Sequence, residues 1–273
     1  MITASIVVYK TDKKELKNIL DCLDSSNIER IYIVDNSPTK ELYELFSSYN
    51  KVDYFWGQGN VGYGAAHNIA IRKAVKEKSD FHIVLNSDIY FKAEIIDQML
   101  TYMNLNPLVG LIMPKILSPD GQLQYLCKLL PTPLDLILRR FLPFQTFLKR
   151  TFKFEMRDSG YNDIMEVPFL SGCFMFLRVD VLKKVKGFDD NFFMYCEDLD
   201  LCRRIGMTGF KTIYYPMVEI VHIHRKESYK SMMMLKIHIK SAILYFNKWG
   251  WFFDSYRKRI NRKMRKQYCD IKN

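Results

Sequence analysis

Three carboxylates stand together in the run Cys196-Glu197-Asp198-Leu199-Asp200, at the predicted start of a helix. A helix N-terminus favours anions, so capping alone would account for one or two of them. The aromatic segment 191–195 precedes the run, and it would exclude water and raise the proton affinity of a carboxylate toward that of a useful base. The run therefore predicts a general base without yet identifying it.

A second acidic position, Asp88, follows the apolar stretch 81–85 directly. A carboxylate placed there has little water around it and needs a cation or hydrogen-bond donors. Mg²⁺ binds through one or two protein carboxylates and completes its shell with water and substrate phosphates. Asp88 is therefore a candidate metal ligand, and the alternative is a cap for the helix predicted near 92–104.

Two histidines, His222 and His224, follow the last strand-like segment of the chain. Either could return to the edge of the sheet that carries Asp88, although a single histidine is often structural. An imidazole among the ligands would make Mn²⁺ as suitable as Mg²⁺. We expect His222 to be the ligand, with His224 as the competing choice.

A glycine-rich loop lies in GQGNVGYGAAHN, residues 57 to 68, where Gly57-x-Gly59-x-x-Gly62 matches the dinucleotide-binding fingerprint. In a dinucleotide-binding unit that turn follows the first strand, but here it follows the third. Glycine permits positive φ and lets backbone N–H groups approach a ligand at a helix N-terminus. The loop therefore predicts ligand binding, with a simple turn or an NAD-dependent oxidoreductase as alternatives.

Strand-like and helix-like segments alternate through the first half of the chain, which predicts an α/β fold with a mostly parallel sheet covered on both faces. Ligands bind such sheets beyond the carboxyl ends of the strands, where Asp35, the glycine loop and Asp88 all fall. The predicted strands are 2–9, 29–34, 52–56 and 81–85, and the helices 12–25, 39–49 and 64–77.

The chain divides into a catalytic domain over residues 1–228, interrupted by a proline-rich insertion at about 118–165, and a basic helical extension over 229–273. Residues 225 to 273 hold 14 Lys and Arg against 3 Asp and Glu, a balance of +11 that equals the net charge of the whole chain. Such a surface attracts anionic lipid, nucleic acid or another polyanion.

The composition, 48% hydrophobic and 14% aromatic residues in 273, is ample for a packed core. The 6 cysteines form no C-x-x-C pair, which favours reduced thiols over disulfides or a zinc site. The N-terminus lacks the basic region of a secretory signal, and no apolar window reaches the length of a spanning helix. We therefore expect a cytoplasmic protein.

Taken in order, these motifs resemble family 2 glycosyltransferases of the GT-A fold, and most closely the rhamnosyltransferase-like branch of O-antigen and capsule synthesis. The resemblance runs from residue 4 to about 224. It rests on Asp35-Asn36-Ser37, Asn60-Val61-Gly62-Tyr63-Gly64 with Asn68, Asn86-Ser87-Asp88, Ser171-Gly172-Cys173, Gly187-Phe188-Asp189, Phe193 to Cys202, and Val221-His222.

The resemblance implies inversion at the anomeric carbon, a divalent metal, Mg²⁺ or Mn²⁺, and a dTDP- or UDP-linked sugar donor, with rhamnose as the expected sugar. Asn86 stands where the family's D-x-D motif has its first acid. The roles it implies are donor binding by Asp35, Asn60, Gly62, Gly64, Asn68, Asn86 and Asp88, metal binding by Asp88 and His222, base catalysis by Asp198 with Glu197 beside it, and acceptor binding by Asp200, Gly172 and Tyr195.

The same resemblance implies a polyprenyl-diphosphate-linked saccharide as acceptor, which Arg139 and Arg140 in the insertion would meet. In the tail, an apolar stripe of Met232, Leu235, Ile239, Ala242 or Ile243, and Phe246 recurs at helical spacing. The stripe either lies on the anionic inner face of the cytoplasmic membrane, with Arg257 to Lys266 on the headgroups, or packs on the catalytic domain. A nucleic-acid-binding module is a further alternative, but no recognised reader motif supports it.

Overall fold

The structure is a computed structural model that describes residues 1–137, 144–223 and 232–269, and the side chains of 144–147 are not described. Its strands are β1 Ile2–Val8, β2 Arg30–Asp35, β3 Val52–Trp56, β4 Phe81–Leu85, β5 Ile89–Tyr90, β6 Val109–Leu117, β7 Cys127–Lys128, β8 Met165–Glu166, β9 Phe169–Leu170, β10 Phe174–Arg178 and β11 Lys211–His222. Its helices are α1 Lys13–Asp24, α2 Tyr63–Lys76, α3 Glu94–Leu105, α4 Pro133–Leu136, α5 Phe144–Phe154, α6 Val179–Val185, α7 Glu197–Met207, α8 Met232–Trp249 and α9 Ser255–Tyr268.

A central sheet with the strand order β3-β2-β1-β4-β10-β6-β11-β5 organises the molecule. Strands β1 to β4 pair in parallel, and so do β6 and β11, whereas β10 runs antiparallel between β4 and β6. The predicted mostly parallel α/β fold is confirmed. The antiparallel β10 was not predicted, because periodicity reports which residues are buried but not the direction of a strand.

The two faces of the sheet are both covered, as the alternation along β2 shows. Ile31 and Ile33 belong to the large core, whereas Tyr32 and Val34 pack in a smaller cluster with the alanines of α2. Successive side chains of a strand point to opposite faces, so one strand contributes to two cores. Small alanines on α2 let this helix approach the sheet and bring its N-terminus to the ligand-binding edge.

Most predicted element boundaries are correct to within one or two residues. One exception is 39–49, where the chain forms a 3₁₀ helix over Tyr43–Ser48 instead of an α-helix. The predicted insertion contains strand β7, which pairs with β9, and helices α4 and α5. It therefore contributes regular secondary structure to the fold. Its limits, and the domain limit at 228, remain predictions.

The basic tail forms two helices, α8 and α9, separated at Gly250, whose φ is +100°. The second half of the apolar stripe on α8 is buried: Ala242 and Phe246 pack against Cys196 and Leu199 of the catalytic domain. The idea that this stripe lies on a membrane is therefore wrong for that half, while Met232 at the other end is 71% exposed. None of the helices in the described ranges combines the length and the apolar character needed to cross a bilayer.

Candidate active site

A cleft of about 440 Å³ lies beyond the carboxyl ends of the central strands. Asn86, from the end of β4, and His222, from the end of β11, line it on one side, and Glu197 and Asp198, from the start of α7, line it on another. Residues more than a hundred positions apart in the chain thus share one cavity, and Asp88 lies next to it, beside His222.

The first side of the cleft is built by strand pairing. Strand β5 pairs antiparallel with β11, so that His222 lies opposite Ile89, and the Ile223 N–H donates to the Asp88 carbonyl at 2.9 Å. This register brings His222 Nε2 to 3.3 Å from Asp88 Oδ1. Asp88 is not a helix cap, because α3 begins at Glu94 after Ala93. The capping alternative is therefore excluded.

The imidazole of His222 is held from its other side by Gln124. His222 Nδ1 lies 3.2 Å from Gln124 Oε1, and Gln124 Nε2 donates to the His222 carbonyl at 2.7 Å. A carbonyl oxygen at Nδ1 keeps the proton there and aims Nε2 at its partner. Burial opposes protonation of the ring, but nearby Cys173 and Asp88 overcome it and raise the pKa of His222 to about 10.

Asp88, beside the cleft, and His222, which lines it, are a pair of side chains that suit a divalent cation. No cluster of three or more His, Cys, Asp or Glu side chains that could hold a metal occurs among the described residues. Two protein ligands nevertheless fit a cation that takes its other ligands from substrate phosphates and water. His224, the competing choice, lies outside the described residues.

The opposite side of the cleft holds Asp198 at the N-terminus of α7. Its Oδ2 accepts from the Gly172 N–H at 2.9 Å and its Oδ1 from the Leu199 N–H at 2.8 Å. Burial raises the pKa of Asp198, and these backbone donors and Lys128 limit the rise. A Cβ on Gly172 would lie 3.1 Å from Asp198 Cβ, so the glycine leaves room for the carboxylate. This is the environment that a general base requires.

Glu197 lies beside Asp198 and is more deeply buried. Its Oε2 is one of the buried polar atoms without a hydrogen-bond partner. Burial, and then the charge of Asp198, raise the pKa of Glu197 well above its usual range. Two adjacent carboxyl groups in a dry site resist ionising together, and the backbone donors that lower the pKa of Asp198 favour ionisation of Asp198 over that of Glu197.

Tyr63, at the start of α2, connects the two sides and was missed as a site residue by the sequence. Its hydroxyl donates to the Gly172 carbonyl at 2.8 Å and lies 3.0 Å from Asn86 Oδ1. Gly172 in turn holds Asp198, and Asn86 lies 3.4 Å from His222 Nε2. The sequence shows Tyr63 only as one more residue of the glycine loop. Its hydrogen-bond partners are 23 and 109 residues away along the chain and are brought to it by folding.

The backbone just before α7 is strained. Tyr195 and Cys196 are non-glycine residues with φ of +69° and +66°, and such conformations cost about 1–3 kcal/mol each. Gly62 presses against this segment: a Cβ there would lie 2.2 Å from the Phe193 carbonyl oxygen, which accepts from the Tyr63 N–H at 2.8 Å. The close contact at Gly62 and the hydrogen bond from Tyr63 thereby hold the glycine loop against the segment that precedes the carboxylate run.

Three of the residues expected to contact a ligand are buried and bonded within the protein. Asp35 is fully buried, and its oxygens accept from the Ser37 N–H and the Tyr54 hydroxyl. Asn68 is buried and its amide bonds both ways with Phe188. Each of these two side chains therefore stabilises a turn of the protein by hydrogen bonds, and neither exposes a polar group to a sugar donor.

Asp200 is the third such residue. It is fully buried and bonded to Arg204, Trp249 and Lys248. The carboxylate is therefore not exposed to an acceptor saccharide. Its bonds instead connect α8 to α7. Sequence could not distinguish it from Asp198, because both stand in the first turn of the same helix.

The other expected positions differ in what they do. Tyr195 and Gly172 line the cleft, whereas Gly64 is buried where a Cβ would meet Phe188 and Glu197 at 3.0 and 3.3 Å. Asn60 is exposed and its Oδ1 accepts from the Gly62 N–H at 3.2 Å. Lys128 of β7 also lines the cleft, and nothing in its sequence surroundings marked it. Arg139 and Arg140 lie outside the described residues.

Comparison with known proteins gives a consistent result. The profile described as "Glycosyltransferase like family 2" matches residues 13–237. The chain is 29% identical over 257 residues to the rhamnosyltransferase WbbL of Escherichia coli, a match covering 88% of this chain and 90% of that protein. It is also 29% identical over 181 residues to the N-acetylglucosaminyl-diphospho-decaprenol L-rhamnosyltransferase of Mycobacterium tuberculosis, covering 62% of this chain and 57% of that protein.

Among solved structures, GalNAc-T7 with UDP, GalNAc and Mn²⁺ superposes with a TM-score of 0.63 at 13% identity, covering 98% of this chain and 54% of that one. At this identity the similarity concerns the fold, which is the GT-A fold. The profile match spans most of the sequence and includes both sides of the cleft. The chain therefore belongs to glycosyltransferase family 2 and is a glycosyltransferase.

Proposed function

We propose that the chain transfers rhamnose, with inversion, from a dTDP- or UDP-linked donor to a hydroxyl group of a polyprenyl-diphosphate-linked saccharide. The similarity to two rhamnosyltransferases supports the sugar, and the decaprenol in the name of the mycobacterial relative supports the class of acceptor. The product would be a repeat unit of a cell-surface polysaccharide such as O-antigen or capsule. Nucleotide sugar and lipid-linked saccharide would meet at the inner face of the cytoplasmic membrane.

One observation carries this proposal: Asp198 shares a cleft with Asn86 and His222, and Tyr63 contacts both sides. Transfer with inversion needs a base on the face of the sugar opposite the leaving group, since an alcohol is a poor nucleophile at neutral pH. It also needs positive charge where the leaving diphosphate gains electrons. The cleft offers one set of groups for each task.

In the proposed reaction Asp198 takes the proton of the acceptor hydroxyl. The acceptor oxygen forms a bond to the anomeric carbon, and the bond from that carbon to the diphosphate oxygen breaks, with its electron pair leaving on the nucleoside diphosphate. The Gly172 and Leu199 N–H groups hold the Asp198 carboxylate in place throughout. Burial raises the pKa of Glu197, which would favour Asp198 as the charged partner.

Asp88 and His222 would hold the divalent cation, Mg²⁺ or Mn²⁺, in this proposal. The cation supplies Lewis-acid stabilisation of the leaving diphosphate. Gln124 orients His222 so that Nε2 faces Asp88, and Nε2 would give up its proton when the cation binds. Asn60, which is exposed, would contact the sugar donor from the glycine loop, and Tyr195 and Lys128 would contact the acceptor.

The proposal is tested by turnover of an isosteric variant, Asp198→Asn, with dTDP-rhamnose and a short-chain lipid diphosphate saccharide. Losing a positioned base lowers turnover by about 10²- to 10⁴-fold. The control is Asp180→Asn on α6, an exposed aspartate that forms an ion pair with Lys183, which should keep wild-type turnover. Turnover of Asp198→Asn within about threefold of wild type would remove Asp198 from the role of base.

A further inference from the structure

The loop that joins α8 to α9 exposes two neighbouring aromatic side chains. Phe252 is 78% exposed and Phe253 is 97% exposed. Large apolar side chains that stand together in solvent mark an interaction surface. Because they are adjacent in sequence, they form one small projecting patch.

The loop's backbone is held firmly, so this exposure is built into the fold. The buried guanidinium of Arg257 donates to the carbonyls of Trp251 and Phe252 at 3.2 and 3.4 Å and to that of Pro131 at 3.1 Å. Gly250, at φ +100°, permits a turn so tight that a Cβ there would lie 2.7 Å from the Phe253 carbonyl oxygen. The polar groups of the loop are thus bound inward, while both phenyl rings remain in solvent.

The helix that follows the aromatic pair is strongly basic. Helix α9 carries 7 Lys and Arg and no Asp or Glu within Ser255–Tyr268. A groove of about 1100 Å³ is lined by the two phenylalanines together with cations spaced along one face of the helix. We call this surface the docking face: Phe252, Phe253, Lys258, Arg262, Arg265 and Lys266.

We propose that the docking face binds the surface of an anionic lipid bilayer, with Phe252 and Phe253 entering the interfacial layer and the α9 cations contacting lipid phosphates. Aromatic rings concentrate at membrane interfaces, and amphipathic elements bind there through combined apolar burial and attraction to anionic lipids. The projecting aromatic pair beside a one-sided cationic groove matches that chemistry on both counts.

The docking face is bonded to helix α7, so a membrane contact there would also fix the position of the cleft. Arg203 of α7 forms a buried bidentate pair with Asp254, at 2.6 and 2.8 Å, directly after the phenylalanines. Trp249 Nε1 donates to Asp200 at 2.8 Å, and the Ser241 hydroxyl donates to the Met194 carbonyl at 2.7 Å. A bilayer bound here would therefore hold α7 and the cleft at a fixed position relative to lipid-linked substrates.

The test is co-sedimentation of the full chain with vesicles of phosphatidylcholine, with and without phosphatidylglycerol. We expect binding to the anionic vesicles that weakens with added salt, since each cation near an anionic surface strengthens association about fivefold. The variant Phe252→Ser/Phe253→Ser should bind at least about tenfold more weakly. Lys258→Glu/Arg262→Glu should bind more than about 25-fold more weakly and with a weaker salt dependence.

Two matched controls separate the docking face from general surface properties. Leu105→Ser/Leu108→Ser removes two exposed apolar residues elsewhere, and Lys13→Glu/Lys17→Glu reverses two exposed charges at the same helical spacing on α1. Both should bind vesicles like the wild type. Asp198→Asn should bind normally too, so that the membrane contact stands or falls independently of the proposed transferase mechanism.

The proposal is overturned if the wild-type chain does not bind anionic vesicles, or if both docking-face variants bind them as tightly as the wild type. It is also overturned if the chain prefers duplex DNA to vesicles at equal salt. Self-association that the phenylalanine variant abolishes, without any vesicle binding, would assign the face to a second copy of the chain instead.

Discussion

Substituting Gly62 by alanine tests the contact between the glycine loop and the segment before α7. Gly62 has φ +91° and ψ 178°, a region that is essentially reserved for glycine and costs other residues about 1–3 kcal/mol. The new methyl carbon would also lie 2.2 Å from the Phe193 carbonyl oxygen. Backbone must move to relieve this contact, so the Tyr63 N–H loses its bond to Phe193, worth about 0.5–1.5 kcal/mol.

Together these effects predict that Gly62→Ala lowers the free energy of unfolding by about 2–4 kcal/mol. Gly59→Ala is the matched control, because Gly59 also has positive φ, +70°, but nothing lies within 4 Å of a Cβ there. It should cost only the backbone strain, about 1 kcal/mol. Urea denaturation of the three proteins measures both values. Equal losses for the two variants would refute the claim that Gly62 is a steric lock.

Two further predictions concern the stability of the fold. His82 and His67, bridged by the Ser5 hydroxyl, are fully buried, and burial lowers the pKa of His67 and brings that of His82 to about 3. Below about pH 6.5 these histidines are protonated in the unfolded chain but stay neutral in the folded one. As the pH is lowered, the free energy of unfolding should therefore fall by up to about 1.4 kcal/mol per pH unit for each histidine. Urea titrations between pH 7 and 5 measure this slope, which His82→Gln should reduce; an unchanged slope would contradict the assignment. Asp254→Asn should destabilise the chain by about 3–5 kcal/mol, because it leaves buried Arg203 without its partner, and a loss below about 1 kcal/mol, typical of surface pairs, would show that this ion pair does not hold the tail.

The fold was predictable from sequence because alternating strands and helices, glycine turns and buried-type strands are local signals. Two features were not predictable, namely the position of β10 in the sheet and the 3₁₀ helix at Tyr43–Ser48. Strand direction and short helices depend on tertiary contacts. The same holds for α8, whose apolar stripe contains Phe246: the pattern indicated a buried face without saying what buries it.

The motifs pointed to Asp88, His222 and Asp198: Asp198 and His222 line one cleft and Asp88 lies beside His222, while the roles assigned to them stay predictions. Some polar residues that were assigned to ligand binding are bonded within the protein. Asp35 and Asp200 are fully buried and bonded within the protein, and their partners are brought to them only by folding. Residue type and spacing show which groups are capable of chemistry, whereas burial and hydrogen bonding decide which are available for it.

The most direct test of the central claim, that Asp88 and Asp198 divide two tasks across one cleft, is calorimetric titration of dTDP and UDP with and without Mn²⁺. Wild type and Asp198→Asn should bind the nucleotide diphosphate with the same Mn²⁺-dependent affinity, whereas Asp88→Asn should lose the Mn²⁺ enhancement. If Asp198→Asn loses that enhancement as fully as Asp88→Asn, or if Asp88→Asn retains it, the division of labour proposed for this cleft is wrong.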